Sequence, residues 1–196
     1  PCVPIDRLEV YLPMEAFPDS PALCERLDRQ MRFVVEIDRL KSILRQTLVF
    51  DASRQENDAE HSWHLAIMAL FLHEYAASPD LDLLRVVKMV LIHDLVEIDA
   101  GDTYCYDEAA HADKAEREEA AAERIFNILP SDQAREVWDL WREFEEMHTP
   151  ESSFAAALDR LQPMLNNYHT QGEAWKRHGI RRSQVLRRNA HIRNGA

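Results

Sequence analysis

Glycine is scarce in this chain, 4 in 196 residues, which works against a sheet protein, whose tight turns lean on glycine for positive φ. No β-hairpin signature appears. Cys2, Cys24 and Cys105 are odd in number and lack CxxC spacing, so neither a disulfide framework nor a thiolate zinc site is suggested, and a reducing cytosol fits best. No apolar run approaches the length that spans a bilayer, and the opening PCVPIDRLEV lacks the basic, apolar and small-residue order of a secretory leader. The expectation is a soluble, cytoplasmic protein with no membrane partner.

Positive charge is short as well. Lys and Arg number 23 against 35 Asp and Glu, a net charge of −12, which argues against a broad nucleic-acid-binding face built on clustered cations. The imbalance is uneven. From Ala174 to Ala196 there are seven basic residues and no acids, so the remainder, with those seven positive charges set aside, stands at −19. Two readings of this tail stay open: a solvated basic helix lying on an acidic body, or a lid that helps attract an anionic substrate.

Leu, Ala, Glu and Arg are plentiful and recur in long periodic stretches, the pattern of an all-α protein. The chain reads as a single domain over 1–196, with an irregular segment over 1–20 (Pro1, Pro4, Pro13, Pro18) and a basic helical tail over 174–196. Apolar residues from Leu23 to Leu44 predict one long amphipathic helix, and Asp51 to Asp58 a loop. A second helix runs from about Ala59 to the break at Ser78-Pro79, and a third, capped by Asp80 or Asp82, through Ile98 to a stop at Ala100-Gly101. Both are dry enough to be central. A charged helix follows from roughly Glu108 to Leu129, another from Ser131 to Met147, and one from Ser152 or Ser153 to about His169, kinked at Pro163. With a last helix over about Ser183 to Ile192, the expectation is a compact bundle of about seven helices around two buried ones.

One pair breaks the apolar pattern. His93 and Asp94 lie inside VVKMVLIHDLVEI, where an ionised carboxylate without a partner is unfavourable by several kcal/mol, so a metal or a strong hydrogen-bond network is the natural compensation. His61 at the start of the second helix and Asp159 in AAALDRLQPML present the same anomaly. Each alone reads as a hydrogen-bonded core histidine or an Arg-paired aspartate. Together, two imidazoles and two carboxylates make a mixed nitrogen and oxygen set suited to one divalent first-row metal with open positions for water and substrate. Neighbours on a helix project about 100° apart, so His93 and Asp94 share one ion only if it sits beside the helix between their directions.

The order His…His-Asp…Asp resembles the signature of the HD-domain metal-dependent phosphohydrolases. EHSWHLAIMA, LIHDLVEIDAGD, AEREEAAAERIFNILP and LWREFEEMHTPESSFAAALDRLQPML look like successive blocks of the subgroup holding bacterial 5′-deoxynucleotidases and their eukaryotic HD domain-containing relatives, over about residues 25 to 170. The resemblance implies an HD-domain helical bundle in which His61, His93, Asp94 and Asp159 match the metal ligands, and Glu97 and Asp102 match the acids after the HD pair. Glu97, four residues after His93 on one helix face, and Asp102, beyond the Gly101 turn, are the candidates for general acid or base; the plainer roles are an ordering partner for a ligand histidine and a cap. Arg45, read as ending the first long helix, resembles the arginine that contacts substrate phosphate, a role suited to its fixed fork, or else makes an ordinary surface pair. The bacterial enzymes follow it with a tryptophan associated with rejecting a ribose 2′-hydroxyl, whereas here Gln46 follows.

Glu60 reads as an acid at a helix start, or as a group orienting a ligand, and His64, one turn beyond His61, as ordinary packing, or as a second contact to the site. Trp138 and Trp141 read as a core or interface stripe, and Trp175, Lys176 and His178 as packing of the tail or as the border of a pocket. The resemblance thus implies a metal-dependent phosphomonoesterase acting on a (deoxy)nucleoside 5′-monophosphate or similar small ester, with one divalent ion (Mn, Co, Mg, Zn, Fe or Ni, which the sequence does not distinguish), as a homodimer. A two-iron HD-domain oxygenase is the rival from another reaction class, since His111 and His148 lie between the HD pair and Asp159. A non-catalytic nucleotide-binding HD module is the third.

Overall fold

Periodicity of 3.6 is realised through most of the chain. The structure, a computed structural model, describes residues 21–107 and 112–196; the expectations placed on 1–20, on Cys2, on Glu108 as a helix start and on His111 lie outside the described residues. The elements are α1 (Pro21–Ile37), β1 (Leu44–Leu48), β2 (Gln55–Asn57), α2 (Asp58–Leu72), α3 (Leu83–Ile92), α4 (Glu97–Ala100), α5 (Lys114–Phe126), α6 (Ser131–Glu146), α7 (Pro150–His169), α8 (Glu173–Arg177), α9 (Arg182–Arg188) and α10 (Ile192–Gly195). The all-α expectation holds, since two short strands are the only sheet among the described residues. None of the described helices is long and apolar enough to cross a membrane.

Local chemistry sets the boundaries. The Asn57 side chain accepts from the Glu60 N–H at 2.9 Å while the Glu60 carboxylate accepts from the Asn57 N–H, a capping box that starts α2. Asp82 caps α3 by accepting from the Arg85 N–H at 3.1 Å. Thr149 and Ser152 cap α7 reciprocally, so α7 begins at Pro150 rather than at a serine. Glu60 therefore has the plain role expected of it.

Two expectations are corrected here. The first helix ends at Ile37, passes through a 3-10 turn (Asp38–Ser42) and gives way to β1, so Arg45 sits on a strand and not at a helix end. The hairpin pairs β1 with β2 antiparallel, Leu44 opposite Asn57 and Leu48 opposite Gln55. Its turn uses no glycine: Ala52 takes φ 59°, and Asp51 Oδ1 accepts from the Ser53 N–H at 2.9 Å. That is why the glycine shortage misled.

The third helix is also broken. α3 stops at Ile92, and His93–Val96 form a 3-10 turn before α4. The His93 Nδ1–H donates at 3.0 Å to Val90 O, the carbonyl that the Asp94 N–H would take in an unbroken α-helix. This turn lies between two apolar clusters. One joins α2, α3, α6 and α7 through Leu65, Met89, Phe144, Phe154 and Leu158; the other joins the turn to α4, α5 and α6 through Leu95, Ile98, Phe126 and Trp141. Trp138 and Trp141 stack edge-on with Phe126 in the second, the core role expected of them.

The centre differs from two dry helices. α2 leaves Trp63 and Phe71 62 % and 72 % exposed, whereas α7 buries Ala155, Ala157, Leu158, Gln162 and Asn166. α7 packs against α2, α3, α6 and α10 and is the third central element.

Candidate active site

His61, His93 and Asp94 offer ligand atoms that all lie within 4.8 Å of one another. Asp159 joins them from α7, with Oδ1 3.0 Å from His61 Nε2 and 3.8 Å from His93 Nε2. Asp94 closes the set, Oδ1 at 3.1 Å from His93 Nε2 and Oδ2 at 3.9 Å from His61 Nε2. The structure thus brings together all four residues singled out in the sequence.

Their hydrogen bonds show what the cluster wants. His93 donates through Nδ1 to Val90 O, and its Nε2, buried, has no hydrogen-bond partner. His61 donates through Nδ1 to Gln162 Oε1 at 3.0 Å. The Gln162 amide is oriented in turn because its Nε2–H₂ donates to Glu56 Oε1 at 2.5 Å. Both imidazoles therefore turn Nε2 toward two carboxylates, His61 Nε2 within hydrogen-bond distance of Asp159 Oδ1 at 3.0 Å, so each Nε2 is placed to take either a proton or a metal ion. A divalent ion fits this donor set, and the chain's own charges answer the same demand. Burial alone would pull the His93 imidazolium down, but Asp94 and Asp159 outweigh it and push it up to about 9. Burial would raise Asp159, but Arg160 and the two histidines hold it well below the usual carboxylate range.

Arg45 reaches the centre from β1. Its Nη1 lies 2.9 Å from Asp58 Oδ1 and 2.9 Å from Asp94 Oδ2, and its Nε 3.9 Å from Glu56 Oε2. It is a largely buried clamp on the Asp94 carboxylate rather than a surface pair. Asp58, fully buried, is pushed up by burial and then by Asp94.

A cleft of about 330 Å³ opens over the cluster, lined among others by Arg45, Asp94, Glu97, Asp102, Arg160 and Arg188. Glu97 is buried, its Oε2 without a hydrogen-bond partner, and burial, then Asp94 and Glu118, push its carboxyl up. Asp102 follows Gly101, whose φ of 76° turns the chain back into the cleft, and burial pushes it up too. Lys114 forms an ion pair with Glu118 on the far wall. Gln46 Oε1 accepts from His178 Nε2–H at 3.2 Å, and His178 packs on Tyr104 at 4.5 Å between ring centroids. His148, on the oxygenase reading a second-metal ligand, is 79 % exposed and lies 3.6 Å from Glu146.

Several site residues were not singled out from sequence. Glu56 is buried, bonded by Gln162 and by Asn166 Nδ2 at 2.9 Å. Asp159, Gln162 and Asn166 fall at i, i+3 and i+7, one polar stripe on an otherwise apolar helix, and that spacing was the available signal. His64 Nδ1 lies 3.3 Å from Gln162 Nε2, close enough to accept a hydrogen bond from it, so His64 joins the polar network behind His61.

Comparison with known proteins gives a consistent set of likenesses. A family model described as HD domain matches residues 37–196. A crystal structure of a predicted metal-dependent phosphohydrolase from Magnetospirillum magnetotacticum is 55 % identical, covers 90 % of this chain and 88 % of its own, and superposes with a TM-score of 0.86. The 5′-deoxynucleotidase HDDC2 of Xenopus laevis is 29 % identical over 136 residues, covering 69 % of this chain and 66 % of its own. The human protein of that name is also 29 % identical, covering 69 % and 65 %. This chain spans just under two thirds of the length of those two relatives.

Proposed function

The chain belongs to the HD domain family, and on that footing we propose that it is a metal-dependent phosphohydrolase, a phosphomonoesterase releasing phosphate from (deoxy)nucleoside 5′-monophosphates. The observation that carries this reading is the buried, unpartnered His93 Nε2 among His61, Asp94 and Asp159 at the floor of a cleft whose walls hold both carboxyls and guanidinium groups. The names of the similar proteins support it.

His61, His93, Asp94 and Asp159 would hold one divalent ion, which supplies Lewis-acid polarisation of the phosphoryl group and a nucleophilic water at neutral pH. Everything else falls to the chain. The Gln162 and Val90 acceptors fix which imidazole nitrogen faces the cleft. Arg45 holds Asp94 in place and brings positive charge to the phosphate side. Glu97 and Asp102 line the cleft with their carboxyls pushed up by burial, and would serve as the general acid and base of the reaction. Gln46, bonded to His178, stands in sequence where the bacterial enzymes it resembles carry a tryptophan, so ribose and deoxyribose esters both belong in the substrate screen.

A homodimer is supported by the exposed apolar flank of α2, where Trp63, Ile67, Leu70 and Phe71 share one face. A cytoplasmic setting is supported by Cys24 and Cys105, both free thiols. The test is a phosphate-release screen over ribo- and deoxyribonucleoside monophosphates and non-nucleotide esters, with Mn, Co, Mg and Zn supplied separately. Release that stops on chelation and collapses in His61→Ala and Asp94→Asn is expected. Undiminished release in both variants overturns the reading.

A further inference from the structure

Most cations of the cleft are already matched. Arg45 is bonded to Asp58 and Asp94, Lys114 to Glu118, and Arg160 Nη1 lies 3.0 Å from Asp159 Oδ2. Arg188 is different. It comes from α9 in the basic tail, lines the same cleft, and among the described residues has no carboxylate oxygen within ion-pair distance. Its Nε is buried without a hydrogen-bond partner, and so are Arg160 Nε and His191 Nε2. Three basic side chains thus converge from α7, α9 and the turn before α10, with Asp159 as the one neighbouring anion that bonds any of them.

Their proximity registers on Arg188 and His191. Burial, then the Arg160 charge, pushes the Arg188 guanidinium down, against the smaller opposing effects of Cys105 and Asp159. Burial, then Arg160 and Arg188, pushes the His191 imidazolium down. Two half-buried guanidinium groups side by side repel each other unless an anion lies between them. Guanidinium forks suit one anion class above others, since two parallel N–H donors match two oxygens of a phosphate. The remaining six basic residues of the tail include the exposed Arg187 next door, so Arg188 is singled out by position and not by charge alone.

We propose that Arg188 and Arg160 form a phosphate-oxyanion subsite of the cleft, through which the C-terminal tail sets substrate affinity. The proposal takes its substrate from the phosphohydrolase reading but not its binding chemistry. The phosphate gripped is either the one that is hydrolysed, adjacent to the metal ligands because Arg160 bonds Asp159, or a second phosphate on the same substrate.

The experiment uses the metal-loaded full chain and the variants Arg188→Ala, Arg188→Lys and Arg187→Ala. Calorimetric titration with inorganic phosphate is run beside KM and kcat for a nucleoside 5′-monophosphate and a nucleoside 3′,5′-bisphosphate. Loss of a charged fork is expected to weaken binding by about tenfold or more. If the scissile phosphate is held, Arg188→Ala raises the phosphate dissociation constant and the monophosphate KM together, with kcat nearly unchanged. If a second phosphate is held, only the bisphosphate KM rises. Arg188→Lys is expected to recover part of the loss, and Arg187→Ala to behave as the parent. A chain that hydrolyses monophosphates while Arg188→Ala leaves phosphate affinity and both KM values unchanged overturns the subsite. A chain that binds phosphate through Arg188 but hydrolyses no ester overturns the proposed activity and leaves the subsite standing; melting curves of each variant separate these outcomes from misfolding.

Discussion

Gln162 Oε1 accepts from His61 Nδ1 at 3.0 Å, across 101 residues of sequence, and this bond decides which nitrogen of His61 faces the cluster of His93, Asp94 and Asp159 proposed to hold the metal. Glu56 fixes the amide from behind. Gln162→Leu keeps the volume and removes the acceptor, so the imidazole is free to flip or to take the wrong tautomer. Loss of such an outer partner lowers metal affinity by roughly 10- to 100-fold. Manganese titration followed by calorimetry checks this; an affinity equal to the parent's would remove Gln162 from the centre.

Arg45 is the second clamp, and its removal separates packing from charge. Arg45→Met leaves Asp58 fully buried opposite Asp94 with no cation between them. Leaving a buried charge unpaired is destabilising by about 3–5 kcal/mol. Asp58→Asn in the same chain removes one of the two facing charges, so the double variant is expected to regain a good part of that stability. Urea denaturation of the four chains of this cycle provides the coupling energy, and strict additivity would show that the clamp is not what holds the two carboxylates.

His93 gives the pH dependence. Its imidazolium is pushed up from 6.5 to about 9 in the folded, metal-free chain. A raised pKa means that the folded state holds the proton more tightly, so the contribution is fully present below pH 6.5 and is lost as pH rises through about 9. Its size is about 3 kcal/mol. The metal-free chain should therefore melt at lower temperature at pH 9 than at pH 6.5, a trend weakened in His93→Gln. Metal and proton compete for Nε2, so below about pH 9 metal affinity rises with pH and roughly one proton is released per ion. Calorimetry in two buffers of different ionisation enthalpy measures that proton, and a release of zero would contradict the competition.

What sequence makes legible here are groups whose chemistry is out of place locally. His61, His93-Asp94 and Asp159 stand out because each interrupts an apolar run, and Glu97 and Asp102 follow at short, regular spacing. Partners set by long-range packing are not legible in this way. Glu56 reads as one more polar residue between two helices until Gln162 and Asn166 arrive from α7, more than a hundred residues away. The strand under Arg45 was hidden because its turn uses Asp51 and a left-handed Ala52 in place of glycine. The break at His93 was hidden because the apolar period continues through it while a side chain takes the backbone acceptor. Arg188 is one of seven basic residues in the tail, and only the docking of α9 distinguishes it.

That docking has its own test at Gly195. A Cβ there would lie 2.2 Å from Ser153 O and 2.9 Å from Phe154 Cα, backbone atoms at the start of α7 that have nowhere to go. Gly195 O also accepts from the Ala77 N–H at 3.0 Å, tying the end of the tail to the segment after α2. Gly195→Ala must therefore push α10 away from α7, and the anchor that keeps α9 over the cleft is lost. The cores built on Leu65 and Phe126 do not involve α10, so global stability should change by no more than about 1–2 kcal/mol. Limited proteolysis should cut within 178–195 faster than in the parent, and the KM for monophosphate should rise toward the Arg188→Ala value while kcat holds. A tail that is cut faster with no rise in KM would show that α9 stays in place without α10, and that the grip of Arg188 does not depend on this anchor.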